Sequence, residues 1–258
     1  MTARAEEPRT ADLDELSTDR PDFTESTDTL RPGLFQLEGG LAGSSHNLAA
    51  GPVHTIGGPS ALLRLGVTPR IELRLGADGF ESEWRAAGGI VEHDSGHSDL
   101  DVAVKIRVLD EHRGLPAIAI IPGISMPSGS AAFTSGGHDR FLKLCWSRDL
   151  GKGFDAGGNA NFRWEGAGPE AEVERGYSLS VGHKLPAALR GFWEIYRISP
   201  IPDDEAAHWI GDSGVSRNLG RNFHVDIAVG HTIGAHTPAW IFTVGFAVRG
   251  ELWGWGRR

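Results

Sequence analysis

The feature that most constrains the fold is a stretch of alternating apolar and polar residues, ALLRLGVTPRIELRLGADG, at residues 61–79. A period of two predicts strands, because successive side chains of a strand point to opposite faces. A three-residue loop at residues 68–70 puts every aliphatic side chain on one face of a hairpin. The predicted pairs are Val67 with Ile71, Leu65 with Leu73 and Leu63 with Leu75.

The other face of this hairpin is charged. Arg64 is expected opposite Arg74, and Glu72 lies diagonally between them, where its carboxylate offsets the like-charge repulsion. The hairpin therefore has one aliphatic face and one face of charges and glycine. The fold depends on what each face contacts.

The same alternation recurs along the chain and gives about twelve strands of roughly ten residues, enough for a tilted strand to cross a bilayer. The predicted connections alternate between long and short. The first long ones are residues 43–58, 78–96 and 127–138, and the first short ones are residues 68–70, 110–115 and 149–152. This asymmetry is typical of outer-membrane barrels, which have tight periplasmic turns and longer external loops.

The charged faces decide between a membrane and a soluble fold. A charge in a lumen can pair or meet water, whereas Arg or Lys facing lipid costs roughly 2–4 kcal/mol at the midplane. We therefore predict an all-β fold, a transmembrane antiparallel up-and-down β-barrel of about twelve strands with a short N-terminal extension. The alternative is a soluble β-sandwich or lipocalin-like barrel, whose charges would point outward to water.

Composition removes several classes of function. The 258 residues suit one large β domain, and the formal charge of -9 without a basic stripe argues against a nucleic-acid partner. The only cysteine, Cys145, excludes an internal disulfide and is expected to pack inward. Residues 1–20 lack the apolar core of a signal peptide. Either export has removed one, the start is assigned late, or the protein is not exported.

Four segments follow from this pattern. Residues 1–17 are polar and predict a disordered tail, residues 34–249 form the barrel, and residues 250–258 are a C-terminal tail. Residues 18–33 are either a plug that folds back into the lumen or a periplasmic lead-in. As a plug, this segment would pair Arg20 with a lumen carboxylate such as Glu38 or Glu72.

The charges on the predicted lumen faces are the candidate transport residues. They could form a conduction path with a selectivity ring, or fill a narrow barrel as a network of salt bridges, and we favour the network. These residues are Arg64, Glu72, Arg74, Asp101, Lys105, Arg107, Lys143, Arg163, Glu194 and Asp226.

Two patterns suggest chemistry, and neither is adopted. His93 and His97 are four residues apart among carboxylates, but that spacing aligns two metal ligands only on a helix, and this stretch is expected to be a loop. A Ser–His hydrolase pair is recognised by geometry, which no spacing here fixes. Its candidate members are Ser178, Ser180, His183 and His224. We predict no catalytic residue, no metal and no cofactor.

The N-terminal segment carries a resemblance. Thr18, Asp19, Arg20, Pro21, Asp22, Phe23, Thr24, Glu25 and Ser26 look like the N-terminal signature of a bacterial family described as the "putative MetA-pathway of phenol degradation", or simply as transporters. The likeness continues through residues 32–38, 65–76, 96–107 and 122–129. It implies a barrel in the outer membrane of Gram-negative bacteria that moves small hydrophobic or aromatic compounds.

The resemblance also implies partners: outer-membrane lipid, small hydrophobic or aromatic solutes, and the barrel-assembly machinery. Members of the family usually end at an aromatic residue that closes the last strand and is read by that machinery, whereas this chain continues past residue 249. The sequence thus predicts a passive channel. A structural or ligand-binding barrel with a sealed lumen is the second hypothesis, and a lipid-modifying enzyme is the third.

Overall fold

The computed structural model of the chain describes residues 15–21, 23–48, 51–112, 114–166, 172–199, 209–234 and 239–252. Most of the predicted N-terminal tail, Asp22 and the end of the C-terminal tail lie outside these residues. The described strands are, in chain order, β1 (Leu34–Leu48), β2 (Gly51–Thr68), β3 (Ile71–Ala77), β4 (Phe80–Ala87), β5 (Ile90–His97), β6 (Leu100–Leu109), β7 (Ala117–Met126), β8 (Asp139–Gly151), β9 (Phe154–Glu165), β10 (Glu172–Leu185), β11 (Leu189–Ser199), β12 (Trp209–Asn218), β13 (Phe223–Ile233) and β14 (Ala239–Glu251).

Twelve of these strands close into one antiparallel barrel. Each pairs with its neighbours along the chain, β3 pairs directly with β6, and β14 pairs with β1 to complete the ring. Closure leaves no free strand edge within the ring, which is the condition for a sheet in lipid. The predicted fold class is confirmed.

The other two strands, β4 and β5, lengthen one part of the wall. The β2–β4 pairs continue the register of β2–β3, and the β4–β5 pairs continue that of β3–β6, so the wall extends beyond the ring as a hairpin. The predicted long loops at residues 43–58 and 78–96 are therefore wrong, since most of both is strand. Their alternation is weak because water, rather than lipid, can meet either face of this extension.

The turn of the central hairpin also differs from the prediction. Leu63 pairs with Leu75 and Leu65 with Leu73, as expected, but Thr68 rather than Val67 pairs with Ile71. A register shift between Gly66 and Thr68 absorbs the extra residue. The loop is therefore shorter than predicted, with a bulge before it.

The two faces of the wall have opposite chemistry. Apolar side chains on the outer face are solvent-accessible, as in Leu73 (45%) and Phe242 (56%), whereas Arg64, Glu72 and Lys105 on the inner face are fully buried. A soluble barrel would show the reverse, so the outer face is one that lipid covers. The chain is therefore an outer-membrane barrel. Among the described residues, no helix is long and apolar enough to span a membrane.

The N-terminal segment lies inside the ring. We call residues 15–21 and 23–33 the plug. Near the short-turn end of the barrel, Thr29 Oγ1 donates a hydrogen bond to Pro69 O and Asn218 Nδ2 donates one to Leu16 O. Between these two points, the plug reaches the middle of the wall, where Arg20 contacts Ser60 and Val244. The chain thus rises into the lumen from the short-turn end and returns before β1.

Candidate functional site

The alternation that builds the barrel also builds its lumen surface. On β2, β3 and β6 every second side chain points inward, and several of these are charged. Burying an isolated charge is costly, so each needs a partner inside the lumen. Many of those partners come from the plug, in particular from its tip, which we define as residues 19–21 and 23–26.

Asp19 is the most highly connected group of the tip. Its Oδ2 accepts from Arg74 Nη1 at 2.6 Å and from Lys105 Nζ at 2.8 Å, and Arg64 Nη1 lies 3.5 Å away. Its Oδ1 accepts from the backbone N–H of Ser26 at 2.8 Å, which closes the tip on itself. One carboxylate therefore joins three wall cations and fixes the shape of the tip.

The same cations also bind wall carboxylates. Arg64 donates to Glu72 Oε1 at 2.7 Å and to Glu38 Oε1 at 2.8 Å, while Arg74 Nη1 lies 3.2 Å from the same Glu72 oxygen. Glu72 thus offsets the repulsion between Arg64 and Arg74, as the hairpin predicts. Glu38 also accepts from the backbone N–H of Asp19 at 3.0 Å. The network includes wall and plug together.

Asp19 contacts β2, β3 and β6, whereas the neighbouring residue Arg20 extends across the seam between β14 and β1. Its Nη2 lies 3.5 Å from Asp226 Oδ1, so Arg20 pairs with a lumen carboxylate as expected of a plug, although the partner is Asp226 rather than the examples Glu38 and Glu72. The side chain rests on two glycines. A Cβ at Gly245 would lie 2.3 Å from Arg20 Nε, and one at Gly40 would lie 2.4 Å from Nη2. Only glycine at these positions leaves room for the guanidinium group.

The far end of the tip is held by Glu194 on β11. This carboxylate accepts from the backbone N–H of Phe23 at 2.7 Å and of Thr24 at 2.8 Å, and also from the Thr24 hydroxyl. Thr24 Oγ1 lies 2.6 Å from Ser178 Oγ. The ring of Phe23 stacks on Tyr196, with centroids 4.7 Å apart and planes 5° from parallel.

Further contacts hold Glu25 at the end of the tip and the plug residues that follow it. Glu25 binds Lys143, and its Oε2 lies 3.0 Å from Arg74 Nη2. Thr27 Oγ1 lies 2.6 Å from Ser147 Oγ. Near the short-turn end, Asp28 Oδ1 lies 3.3 Å from Arg107 Nη1.

Two cavities border the tip. One of about 570 Å³ opens toward the long-loop end, and its lining includes Asp101, Phe141 and Arg163. The other, of about 500 Å³, opens toward the short-turn end. Arg20 and Glu25 line both cavities. The tip is therefore the partition between two parts of the lumen.

The structure places all ten predicted transport residues on the lumen face. Arg64, Arg74 and Lys105 bind Asp19 and Glu72 joins them, whereas four others bind the plug at separate points. Those four are Arg107, Lys143, Glu194 and Asp226. Asp101 and Arg163 pair with each other at 3.5 Å in the cavity at the long-loop end.

Several residues that contact the plug were not predicted from the sequence to do so. Tyr196 and Ser178 contact the tip, and Gly40 and Gly245 accommodate Arg20. The available signal was small residues at inward positions of the first and last strands, where a wall without other filling would carry large side chains.

The motifs that suggested chemistry do not converge. His93 and His97 lie on β5, a strand rather than the expected loop, where His93 stacks on Trp84. Within the described ranges, no group of three or more His, Cys, Asp or Glu side chains could hold a metal ion.

One pair of the hydrolase candidates is separated. Ser178 faces the lumen, whereas His183 lies on the outer face of the same strand and stacks on Trp193. His224 bonds to Asn218 and is 3.5 Å from Thr18 Oγ1. Cys145 is buried on the lumen face, as expected.

A closed twelve-stranded ring with a lipid-facing belt and a lumen occupied by its own N-terminal segment defines an internally plugged outer-membrane barrel. More particularly, the chain belongs to the family described as "Putative MetA-pathway of phenol degradation", which matches residues 18–250. No curated protein matches the chain.

Solved structures share the fold at low identity. The COG4313 outer membrane channel from Pseudomonas putida F1 is 11% identical, with a TM-score of 0.64 over 87% of this chain and 98% of that one. The NanC porin is 11% identical, with a TM-score of 0.52 over 82% and 98%. The translocator domain of autotransporter NalP from Neisseria meningitidis is 10% identical, with a TM-score of 0.53 over 92% and 90%.

Proposed function

We propose that this chain is an outer-membrane channel that passively admits small hydrophobic or aromatic compounds and is closed by the tip of its plug. The observation that carries the proposal is the partition: Arg20 and Glu25 line both lumen cavities, so the tip alone separates them at that point. Movement of the tip would join the cavities into a path along the barrel.

The way in which the lumen is filled favours a channel over a sealed barrel. Small barrels are normally filled by side chains of their own walls. Here the wall carries glycine at residues 40 and 245, and the space is filled by Arg20 from the plug. A segment that can leave therefore fills the part of the lumen that fixed wall side chains fill in a sealed barrel.

The tip is held by contacts that can exchange with water. It binds the wall through ion pairs and hydrogen bonds, as at Asp19 and Glu194, and the described tip contains no strand. Such contacts can be replaced by water or solute groups in a hydrated lumen, whereas release of a plug strand would break a ladder of backbone hydrogen bonds.

Small aromatic compounds are the solutes that fit best. The family description refers to phenol degradation. The cavity of about 570 Å³ lies within the range of ~300–1,000 Å³ typical of small-molecule sites. Its lining includes Phe133 and Phe141 beside charged groups, so it offers both ring contacts and hydrogen bonds. We propose transit without chemical change; in keeping with this, Ser178 and His183 lie on opposite faces of β10.

The proposal is tested by locking the tip to the wall. Thr24 Oγ1 and Ser178 Oγ are in contact, so a T24C/S178C pair in a C145A background should form a disulfide. In planar bilayers, we expect the oxidised protein to carry no current and dithiothreitol to restore it. The T24C and S178C single variants in the same background should show no redox dependence.

Two outcomes count against the channel. Equal currents in the oxidised and reduced states, with the disulfide verified by mass spectrometry, would show that conduction does not need the tip to move. The absence of current in both states, from a barrel whose heat-modifiable gel mobility proves that it is folded, would support the sealed barrel. A lipase or esterase activity that is lost in H183A or H224A would support the enzyme.

A further inference from the structure

The tip carries one aromatic side chain, and the wall has a place that fits it. Phe23 is the only aromatic residue among residues 18–26. Among the described residues of the lumen wall, Tyr196 stacks against its ring. The rings are nearly parallel and 4.7 Å apart, a favourable stacking distance. The other tyrosine of the chain, Tyr177, is exposed on the outer face.

The floor beneath Phe23 is a glycine. A Cβ at Gly176 would lie 3.0 Å from Phe23 Cζ and 3.5 Å from Asn161 Cβ, and Gly176 pairs with Asn161 across β9 and β10. Tyr196, Gly176 and Asn161 therefore border a slot that admits a flat ring, and a side chain at residue 176 would narrow it. We call this the ring slot.

Two hydrogen-bond acceptors near the ring slot are not paired by Phe23. Asn161 Oδ1 is buried and has no hydrogen-bond partner among the described residues. The same holds for Asp212 Oδ1, on the strand beside Tyr196, where Asp212 pairs with Glu194. Buried acceptors without partners are unfavourable, and the benzyl group of Phe23 has no donor to offer them.

A solute that combines a flat ring with a hydroxyl or N–H donor would stack on Tyr196 and also supply a donor. We propose that a small aromatic compound with such a donor, of the phenol class, binds in the ring slot in place of Phe23. This inference rests on the proposed channel function and adds a recognition site to it.

Binding at the ring slot also affects the closure of the lumen. The backbone N–H groups of Phe23 and Thr24 bind Glu194, so the ring and the end of the tip are held at the same place. A solute in the ring slot excludes Phe23 and removes one of the contacts that hold the tip. The solute and the closed tip therefore compete, and the solute shifts the barrel toward its open state.

The test is direct binding of phenol to the full chain in detergent, measured by saturation-transfer NMR titration. Removal of the competing ring in F23A should tighten phenol binding by about tenfold or more, because the free slot is then more highly populated. Y196A should abolish the saturation transfer. Y177A is the matched control, since Tyr177 is the other tyrosine of the chain and lies on the outer face, and it should leave binding unchanged. Cyclohexanol, which has the donor without the flat ring, should bind no variant.

Bilayer recordings separate this inference from the channel itself. We expect phenol to raise the open probability of the wild-type protein and cyclohexanol to leave it unchanged, whereas Y196A should conduct without responding to phenol. Conduction with no tighter binding in F23A, or with phenol binding retained in Y196A, would overturn the ring slot and leave the channel standing. Phenol binding that follows the expected pattern in a barrel without current would overturn the channel and leave the ring slot as a ligand site.

Discussion

Replacement of Asp19 by Asn should release the tip while the barrel stays folded. The change keeps the shape of the side chain but removes the charge that joins three buried cations. Arg64 and Arg74 retain Glu72, whereas Asp19 is the carboxylate partner of Lys105 among the described residues. Breaking a buried pair by removing one partner costs ~3–5 kcal/mol. Because two of the three cations keep another partner, we expect the lower value, ~3 kcal/mol, which is about a hundredfold shift toward release.

Cys145 reports this release. It is the only cysteine of the chain, it is buried on the lumen face, and it lies between Lys143 and Ser147, which bind the tip residue Glu25 and the adjacent Thr27. A maleimide should therefore reach its thiol only after the plug has moved. The measurement is the labelling rate of the reconstituted protein, followed by mass spectrometry.

The control for D19N is an exposed ion pair. Asp110 binds Arg70 and Arg107 at a short turn, and the side chains of Asp110 and Arg70 are more than half exposed. D110N removes a carboxylate that contributes ~0–1 kcal/mol, and Arg107 retains its contact with Asp28 of the plug. We expect D110N to label at the wild-type rate and D19N to label about a hundredfold faster. Equal rates for D19N and the wild type would refute the reasoning that Asp19 holds the tip closed.

Three other changes test separate parts of the structure. E194Q weakens three hydrogen bonds to a charged acceptor and should speed Cys145 labelling by about tenfold; an unchanged rate would exclude Glu194 as an anchor. G245V places a branched side chain where Arg20 Nε lies and should raise the open probability in bilayers, whereas the same change at Gly43, where an added Cβ would come no closer than 3.8 Å to its nearest neighbour, should not. V244K puts a cation on the outer face near the middle of β14 and should lower the free energy of unfolding in lipid vesicles by ~2–4 kcal/mol in urea titrations; no loss would contradict a lipid-facing wall.

The sequence predicts the wall better than its extension. Alternation with a period of two is a local property, so Leu63, Leu65 and Arg64 reveal which residues face lipid and which face the lumen. The β4–β5 hairpin lies beyond the ring, where Glu81 and Trp84 do not have to sort by face, and the pattern that predicts the barrel is weak there. The bulge before Thr68 depends on one residue of register, which alternation alone does not fix.

The tip shows a different limit. Its residue types indicate a segment rich in charge and without strand periodicity, but the partner of each residue is set by how the strands are staggered around the closed ring. Arg20 pairs with Asp226, which is 206 residues away on β13, because β14 closes on β1 and brings that strand close to the start of the chain. A local sequence pattern cannot predict a contact between residues that are so far apart in the chain.

The composition of the tip follows from its position. The described residues of the tip form no strand or helix, so their side chains must offset the loss of backbone freedom, and a lumen of charged residues offers ion pairs rather than apolar contacts. Asp19, Glu25 and Arg20 supply charge of the sign opposite to that of the wall they meet. Phe23 is the exception, because it binds through a ring at the one described lumen tyrosine. A tip built for permanent closure would gain from a donor at that place, whereas Phe23 leaves acceptors that a solute can satisfy.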